Sequence, residues 1–341
     1  MKRLFALLGI LLLLGGILVG SAAAWAWRLL ETPFGDSAAL EFEIRPGESA
    51  RQILDRLERL GALRDATVTR LYLVHVLEDP PLQAGEYLLQ RPATPPEVLA
   101  HLIDGNVVLH SVTIIEGLTL EETALHLANQ GFGDEAAFLA AMRTPDLIAD
   151  LDSEATSLEG YLFPDTYSFP RTVTEAGIVR SMVELFRRHA AALAPGAPAT
   201  RELVTLASIV EKEALLDSER PIIAGVYRNR LDRGIGLYAD PTIIYALKML
   251  GTWDGDLRRR DLELDSPYNT YRYPGLPPGP ICSPGLASLQ AAAAPAQVPY
   301  LYFVSRNDGT HVFAETLREH NRNVDEWQRR YWQRKRAASS K

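Results

Sequence analysis

Two glutamates flank a lysine in a stretch that otherwise has the pattern of a helix packed against a protein interior, LASIVEKEALLDSER at 206–220. With about 100° of rotation per residue, Glu211 and Glu213 lie about 200° apart, on opposite shoulders of one apolar stripe. That stripe consists of Leu203, Leu206, Ala207, Val210 and Ala214. Lys212 points away from it, toward solvent. One glutamate can therefore border a cleft while the other contacts a neighbouring helix or water.

Either glutamate could act as a general acid, which requires a carboxyl group whose pKa is raised toward the working pH. An apolar neighbour and a like charge both raise a carboxyl pKa. Glu213 has Ile209 one turn before it and Asp217 one turn after it, so both effects are expected there. Glu211 also has apolar neighbours at that spacing. The spacing separates the two roles without assigning them, and two structural ion pairs would explain the pattern as well.

The N-terminus has the pattern of a membrane anchor. Two basic residues precede an uncharged stretch at 4–27, which exceeds the roughly 20 apolar residues that cross a bilayer as a helix. Tryptophans near its far end fit an interfacial belt, and the preceding basic residues predict that residues 1–3 are cytoplasmic. SAAAWA at 21–26 would also fit a signal-peptidase site. The apolar run is longer than a signal core of about 7–15 residues, which favours a retained anchor.

Composition excludes several classes of site. The net charge of −8 argues against nucleic acid as a partner of the whole chain. A single cysteine, Cys282, rules out an intramolecular disulfide and a cysteine-based zinc cage. His311 and His320 do not have metal-ligand spacing and are interpreted as structural or surface residues. We therefore predict neither a metal nor a cofactor.

Residues 38–108 are predicted to form a strand–helix–helix–strand module. The pattern gives a strand at 41–45, a helix that begins after Ser49, a second helix at 66–77 and a strand at 85–90.

A shift of 70 positions aligns the start of this module with residues 111–131, so we predict a second module at 109–170. Gly47 falls on Gly117, Ser49 on Thr119, Leu57 on Leu127 and Gly61 on Gly131. A helix at 134–142 and a strand at 159–164 would complete the copy. Chance similarity between two capped helices is the alternative. The element order resembles that of LysM glycan-binding modules, which implies a shallow groove for an extended polymer.

The remainder, 171–341, is predicted to be mostly helical with one β-hairpin, which makes the fold class α+β. Predicted helices cover 174–193, 200–216, 218–233, 240–250 and 316–336, with a Pro/Gly break at 194–199. Asp240 is expected to cap its helix, with Pro241 at the first helical position. The hairpin joins 300–305 to 310–315 through an Asn-Asp-Gly turn.

Several blocks follow one another in a characteristic order along the chain. They are EGYLFPDTY (159–167), LASIVEKEALLDSER, VYRNRL (226–231), ADPTIIYAL (239–247), YNTY (268–271), GLPPGPI (275–281) and YLYFV (300–304). Together with the N-terminal anchor, they closely resemble the YceG-like (MltG) family of endolytic murein transglycosylases over nearly the whole chain. The resemblance implies that the N-terminal segment is an inner-membrane anchor. It also implies that residues 171–341 form a lysozyme-like catalytic domain in the periplasm.

The resemblance also selects between the two glutamates. Lytic transglycosylases place their essential glutamate at the end of an Ile-x-x-x-Glu stretch followed by a small residue, which here is 209–214. This implies that Glu213 is catalytic and that Glu211 and Asp217 support it. Members often carry Thr at the position of Ala214, so one hydroxyl group near the site is absent here.

Other residues are implied to bind the glycan. On the stiff loop at 267–279, Tyr268, Tyr271 and Tyr273 could stack on sugar rings. Asn269 and Thr270 could bind sugar hydroxyl and acetamido groups. A purely structural loop is the alternative. Asn229 and Asp240 are expected near the cleft, and Tyr238 replaces a common Gln, which weakens any transfer of a binding role to that position.

The resemblance implies endolytic cleavage of the β-1,4 bond between N-acetylmuramic acid and N-acetylglucosamine in nascent strands, with a 1,6-anhydro end as product. Such cleavage would end strand elongation, and peptidoglycan synthases are the expected protein partners. Two alternatives remain: a hydrolytic muramidase that uses Asp217 or Glu211 to activate water, and an anchored glycan-binding scaffold without catalysis.

Overall fold

The computed structural model describes residues 2–193, 200–333 and 335. It mixes helices with three two-stranded sheets among these residues. The chain divides into two compact units: Met1–Ser111 with Ser168–Val173, and Val112–Tyr167 with Thr174–Lys341. The predicted Pro/Gly break at 194–199 lies outside the described residues.

The first unit begins with a long apolar helix, α1 (Lys2–Glu31). Its segment Leu7–Glu31 is long and apolar enough to cross a membrane, and within that segment only Leu30, near its end, is buried in the protein. The helix is compatible with the predicted single-pass anchor, although it extends a few residues beyond the predicted end at Trp27.

The predicted strand–helix–helix–strand order at 38–108 is confirmed. The elements are β1 (Leu40–Ile44), α2 (Ala50–Arg59), α3 (Ala66–His75) and β2 (Gly85–Leu89), followed by α4 (Pro95–Ile103). β1 and β2 pair antiparallel, with Leu40 opposite Leu89 and Ile44 opposite Gly85. The core between strands and helices includes Leu54, Leu57 and Leu99, each with no exposed surface. Burial of such side chains is the main stabilising term of a small module.

The second copy begins with β3 (His110–Thr113), α5 (Leu120–Asn129) and α6 (Glu135–Met142), and β3 pairs with β4 (Thr166–Phe169). The division between the two units passes through β3 and β4. The predicted strand at 159–164 is wrong. Gly160 has a φ of +84°, and a Cβ there would meet Pro280 at 2.4 Å, so this segment turns sharply against another loop. The strand forms only beyond Pro164.

Positions aligned by the 70-residue shift have the same local geometry. Ser49 and Thr119 both form capping boxes at the starts of α2 and α5. Gly47 and Gly117 have φ values of +82° and +78°, and the glycines that follow the two helices have +71° and +74°. Equivalent positions therefore need the same left-handed backbone.

The rest of the second unit is mostly helical. Its elements are α7 (Glu175–Ala191), α8 (Thr200–Glu213), α9 (Arg220–Asp232), α10 (Asp240–Met249), α11 (Leu286–Ala293), β5 (Tyr302–Ser305), β6 (His311–Ala314) and α12 (Leu317–Val324). A π-helical turn, Asp325–Arg330, continues α12. β5 and β6 form the predicted hairpin. The N-cap of α10 is Ala239, so Asp240 is its first helical residue rather than its cap.

The central helix differs from the predicted amphipathic rod. Every residue of α8 from Leu203 to Val210 is buried, because α9, α10 and α11 all pack against it. The helix ends at Glu213, three residues before the predicted end. Its last turn, which carries both glutamates, is therefore where the buried helix reaches the surface.

Candidate active site

Glu213 ends α8 at the wall of a cavity of about 610 Å³. Its side chain is only partly exposed, and Tyr227 on α9 donates a 2.8 Å hydrogen bond to its Oε1 atom. We call this space the Glu213 cavity. The polar and aromatic side chains around it include Arg230, Tyr238, Asp240, Tyr271, Tyr302 and His320.

The environment of Glu213 raises its pKa to about 7. Burial is the largest cause, because it disfavours the charged form, and the negative charge of Asp240 acts in the same direction. The Tyr227 hydrogen bond and the positive charge of Arg230 favour the carboxylate and oppose the rise. A carboxyl group with a pKa near neutrality can donate a proton in one step and accept one in the next.

Asp217 is not among the causes of this rise, and its predicted position beside Glu213 is wrong. Because α8 ends at Glu213, the chain has left the helix before Asp217. The Asp217 side chain is 82% exposed and accepts a 3.0 Å hydrogen bond from Arg220. The like charge that the sequence assigned to Asp217 is supplied by Asp240 instead.

Glu211 occupies the opposite side of α8, as helical geometry predicted. Its Oε1 accepts a 3.1 Å hydrogen bond from Arg220, and its Oε2 accepts one of 2.9 Å from the backbone N–H of Gly285. The Glu211 and Arg220 side chains are each only 7% exposed. Since both carboxylate oxygens are occupied, Glu211 stabilises the packing around α8 and offers no free group to a substrate.

The loop at 267–279, which we call the tyrosine loop, reaches the Glu213 cavity through Tyr271. Its hydroxyl group donates a 2.7 Å hydrogen bond to Asp240, and its ring packs edge-on against Tyr238. Tyr268 lies elsewhere, against Tyr245 at the wall of a different cavity.

Asn269 and Thr270 are buried beneath this loop, with 0% and 1% of their surface exposed. The Asn269 amide donates to two carbonyl groups of the preceding segment, and the Thr270 hydroxyl accepts the N–H of Ala239. Their polar groups hold the loop in shape and do not reach a cavity that could admit a sugar. The prediction that they contact substrate is therefore contradicted.

Asn229 also has its amide committed to backbone. It donates to the carbonyl groups of Val298 and Tyr300 at 2.7 and 3.0 Å, which joins α9 to the segment before β5. It lines a third cavity, of about 440 Å³, which Glu213 does not border.

Comparison with known proteins identifies the family. The model of the YceG-like family matches residues 42–326, most of the chain. The chain belongs to the YceG-like family.

Named relatives of this YceG-like chain agree with that assignment. The endolytic murein transglycosylase of Bacillus subtilis is 30% identical over 328 residues, which cover 90% of each chain. That of Streptococcus pneumoniae is 32% identical over 320 residues, and the match covers 83% of this chain but 57% of the longer pneumococcal protein. The crystal structure of a YceG-like protein from Listeria monocytogenes is 32% identical, with a TM-score of 0.54 over 84% of this chain and 99% of the other.

Two residues of the VYRNRL block, which the sequence analysis did not single out, organise the site of this YceG-like chain. Tyr227 contacts Glu213 directly. Arg230, one turn later on α9, donates to the carbonyl groups of Leu237 and Leu301 and lies within 6.0 Å of the ring centres of three tyrosines. A Tyr and an Arg three residues apart on a helix face the same way, but nothing in the sequence indicates that this face meets Glu213.

The two histidines of this region also border the Glu213 cavity. His311 pairs with Glu219 through both its backbone N–H and its Nδ1 atom, at 2.9 and 2.7 Å, which agrees with a structural interpretation. His320 stacks on Tyr302, with ring centres 5.3 Å apart, and its pKa is lowered by burial and by the charge of Arg230. A neutral imidazole is therefore part of the wall at pH 7.

Proposed function

We propose that this chain is an endolytic murein transglycosylase in which Glu213 is the only acid and base. The observation that carries the proposal is the Glu213 carboxyl group, whose pKa is raised to about 7, at the wall of a cavity of about 610 Å³ bordered by tyrosines. Family membership and the names of the relatives support the same activity.

The reaction needs one proton carrier. Protonated Glu213 donates its proton to the glycosidic oxygen, and the bond from that oxygen to C1 of N-acetylmuramic acid breaks while positive charge develops at the ring. The Glu213 carboxylate then removes the proton from the C6 hydroxyl group of the same ring, whose oxygen bonds to C1. One C–O bond breaks and one forms, water is not consumed, and Glu213 regains its proton. Since an internal hydroxyl group replaces water, a second catalytic carboxylate is not needed.

The surrounding residues support both steps. The Tyr227 hydroxyl group donates to Glu213 and stabilises the carboxylate that exists between the two proton transfers. Tyr238 and Tyr271 present aromatic rings to the cavity, and such rings can pack on the apolar faces of sugars. The Asp240 side chain positions Tyr271 through their hydrogen bond.

The remaining parts of the proposal rest on the sequence and its resemblance. We propose that α1 is a single-pass inner-membrane anchor with a cytoplasmic N-terminus, which places the catalytic domain at 171–341 in the periplasm. The modules at 38–108 and 109–170 are proposed to be LysM-like and to bind extended glycan strands. The lysozyme-like character of the catalytic domain and a partnership with peptidoglycan synthases belong to the same proposal.

One observation favours a second candidate, a hydrolytic muramidase. Asp240 borders the same cavity as Glu213, and two carboxyl groups at one site are the usual equipment for activating water. Glu211 and Asp217, the bases that the sequence offered for this mechanism, do not border the cavity. Asp240 is therefore the residue that a hydrolase would use.

Digestion of uncrosslinked glycan strands in water enriched in ¹⁸O separates the two candidates. A transglycosylase yields anhydromuramoyl ends, one water lighter than reducing ends and free of ¹⁸O. A hydrolase yields reducing ends that carry the label. Labelled reducing ends as the main product would contradict the transglycosylase proposal, and the absence of any cleavage would favour a glycan-binding scaffold.

A further inference from the structure

A second cavity in the same unit contains a buried acid that the proposed reaction does not use. This cavity, of about 320 Å³, is bordered by Glu159, Tyr245, Met249 and Tyr268, and we call it the Glu159 cavity. It shares no bordering residue with the Glu213 cavity. Its volume is at the lower end of the roughly 300–1,000 Å³ typical of small-molecule sites, which suits a single ring.

One carboxyl oxygen of Glu159 has hydrogen-bond partners and the other does not. The backbone N–H of Leu120 and the hydroxyl group of Tyr245 both donate to Oε2, each at 3.1 Å. Oε1 is buried and has no hydrogen-bond partner among the residues that the structure describes. The Glu159 residue is 5% exposed, and burial raises its pKa to about 8, so the carboxyl group is protonated at neutral pH. Since Oε2 already accepts two hydrogen bonds, the proton belongs on Oε1, which becomes a donor without an acceptor.

The charges that border this cavity are paired with one another. Arg201 contacts Asp152 at 2.8 Å, and Arg143 contacts Glu121 at 3.5 Å. With Glu159 neutral, these two arginines and two carboxylates balance, so the charged side chains that border the cavity carry no net charge. We therefore expect an uncharged ligand with a carbonyl oxygen that can accept a hydrogen bond from Glu159.

Aromatic rings supply the other recognition feature. Tyr245 and Tyr268 pack with ring centres 5.0 Å apart, and Tyr268 is partly exposed. Exposed tyrosine faces suit the C–H faces of a sugar ring. An uncharged ring with a carbonyl group and apolar faces describes N-acetylglucosamine. It does not describe N-acetylmuramic acid, whose lactyl group carries either a free carboxylate or a bulky stem peptide with carboxylates of its own.

The two cavities lie along one helix. Asp240, at the start of α10, borders the Glu213 cavity, whereas Tyr245 and Met249, toward its end, border the Glu159 cavity. Nine residues of helix at about 1.5 Å each separate Asp240 from Met249 by about 14 Å. A strand a few sugars long can span that distance.

We propose that the Glu159 cavity binds an N-acetylglucosamine ring of the glycan strand at a distance from the bond that Glu213 cleaves. The inference rests on the proposed function for its substrate, but it concerns a separate site. It assigns Glu159 as the donor to the acetamido carbonyl group and Tyr268 as the stacking surface.

Methyl NMR of the full-length chain in lipid nanodiscs tests this inference, with ¹³C-methyl methionine as the label. Met249 borders the cavity, while Met142 and Met182 are fully buried and report on folding. We expect N-acetylglucosamine to shift the Met249 methyl signal in a saturable manner and glucose, which has no acetamido group, not to do so. The buried methionine signals should stay in place.

Two matched substitutions on the tyrosine loop sharpen the test. Tyr268→Ala should weaken the N-acetylglucosamine affinity about tenfold, the loss expected from one stacking contact. Tyr273→Ala should not change it, because Tyr273 borders neither cavity and its hydroxyl group bonds to exposed Asp265. Glu159→Gln should retain binding, since its amide can still donate to a carbonyl group. It also serves as a second variant if Tyr268→Ala disturbs the buried methionine signals.

The inference is overturned if N-acetylglucosamine leaves the Met249 signal unchanged, if glucose shifts it equally, or if Tyr268→Ala binds as tightly as the wild type. Because Met249 reports binding without cleavage, a silent Met249 with normal formation of anhydro ends would overturn this inference alone. A shifted Met249 signal without any anhydro product would overturn the proposed function and leave this site standing.

Discussion

Tyr227 on α9 donates a 2.8 Å hydrogen bond to Oε1 of Glu213, the last residue of α8. The bond crosses between two packed helices, so the ionisation of Glu213 depends on how those helices meet. Burial and Asp240 raise the Glu213 pKa, while Tyr227 and Arg230 lower it. Each of these opposing effects can be removed separately.

Tyr227→Phe removes a hydrogen bond that favours the carboxylate. The pKa of Glu213 should therefore rise further, because a hydrogen bond to a charged group contributes about 1.5–3 kcal/mol. The alkaline limb of the pH profile of kcat/KM should accordingly move up by about 1–2 pH units. The assay is glycan cleavage measured across the pH range. An unchanged alkaline limb would mean that Glu213 does not determine it.

Asp240→Asn should have the opposite effect. It removes a negative charge that disfavours ionisation of Glu213 and keeps an oxygen that can accept from Tyr271. The alkaline limb should move to lower pH in the same assay. A shift in the same direction as that of Tyr227→Phe would contradict this account of the site. Complete loss of cleavage at every pH, with folding intact, would favour the hydrolytic mechanism that uses Asp240.

Glu213→Gln should stabilise the fold at neutral and alkaline pH. The Glu213 pKa rises from 4.5 to about 7, so the folded state binds this proton more tightly than the unfolded state. The free energy of unfolding of the wild type therefore falls as pH rises between these two values, by on the order of 3 kcal/mol, and this loss is absent in the variant. Denaturant unfolding at pH 4 and pH 8 should show a difference in the free energy of unfolding between the variant and the wild type only at pH 8. An equal difference at both pH values would show that the titration of Glu213 does not cause the difference in stability.

Glu211→Gln should destabilise the protein and leave the pH profile in place. The substitution breaks an ion pair with Arg220 in which each side chain is only 7% exposed, at a cost of roughly 3 kcal/mol. Glu202→Gln is a matched control on the same helix, because Glu202 pairs with Arg228 where its side chain is 42% exposed. That change should cost at most about 1 kcal/mol. Equal midpoints for the two variants in denaturant unfolding would show that the buried pair does not hold α8.

Helical geometry predicted the part of the site that depends on one helix alone. The 200° separation of Glu211 and Glu213 does place them on different surfaces of α8, and the capped helices of the repeat form as their sequences indicate. Both features arise within a few residues of one another along the chain, which is the range over which periodicity and capping are informative.

Contacts between distant segments explain what the sequence did not predict. The burial of Asn269 and Thr270 depends on carbonyl groups at 262 and 264 and on the N–H of Ala239. The position of Asp217 depends on where α8 ends, and the pKa of Glu213 depends on residues 14 and 27 positions later. Amide and hydroxyl side chains beside tyrosines suit a sugar site and a buried loop equally well, and only packing distinguishes them.

The most direct test of the central claim is cleavage of glycan strands by Glu213→Gln, with Glu202→Gln as the matched control and mass spectrometry of the products as the measurement. The amide has the shape of the acid but cannot deliver the proton, so anhydromuramoyl ends should disappear while the control forms them at the wild-type rate. Formation of anhydro ends by a folded Glu213→Gln variant at the rate of the control would contradict the claim that Glu213 performs the chemistry.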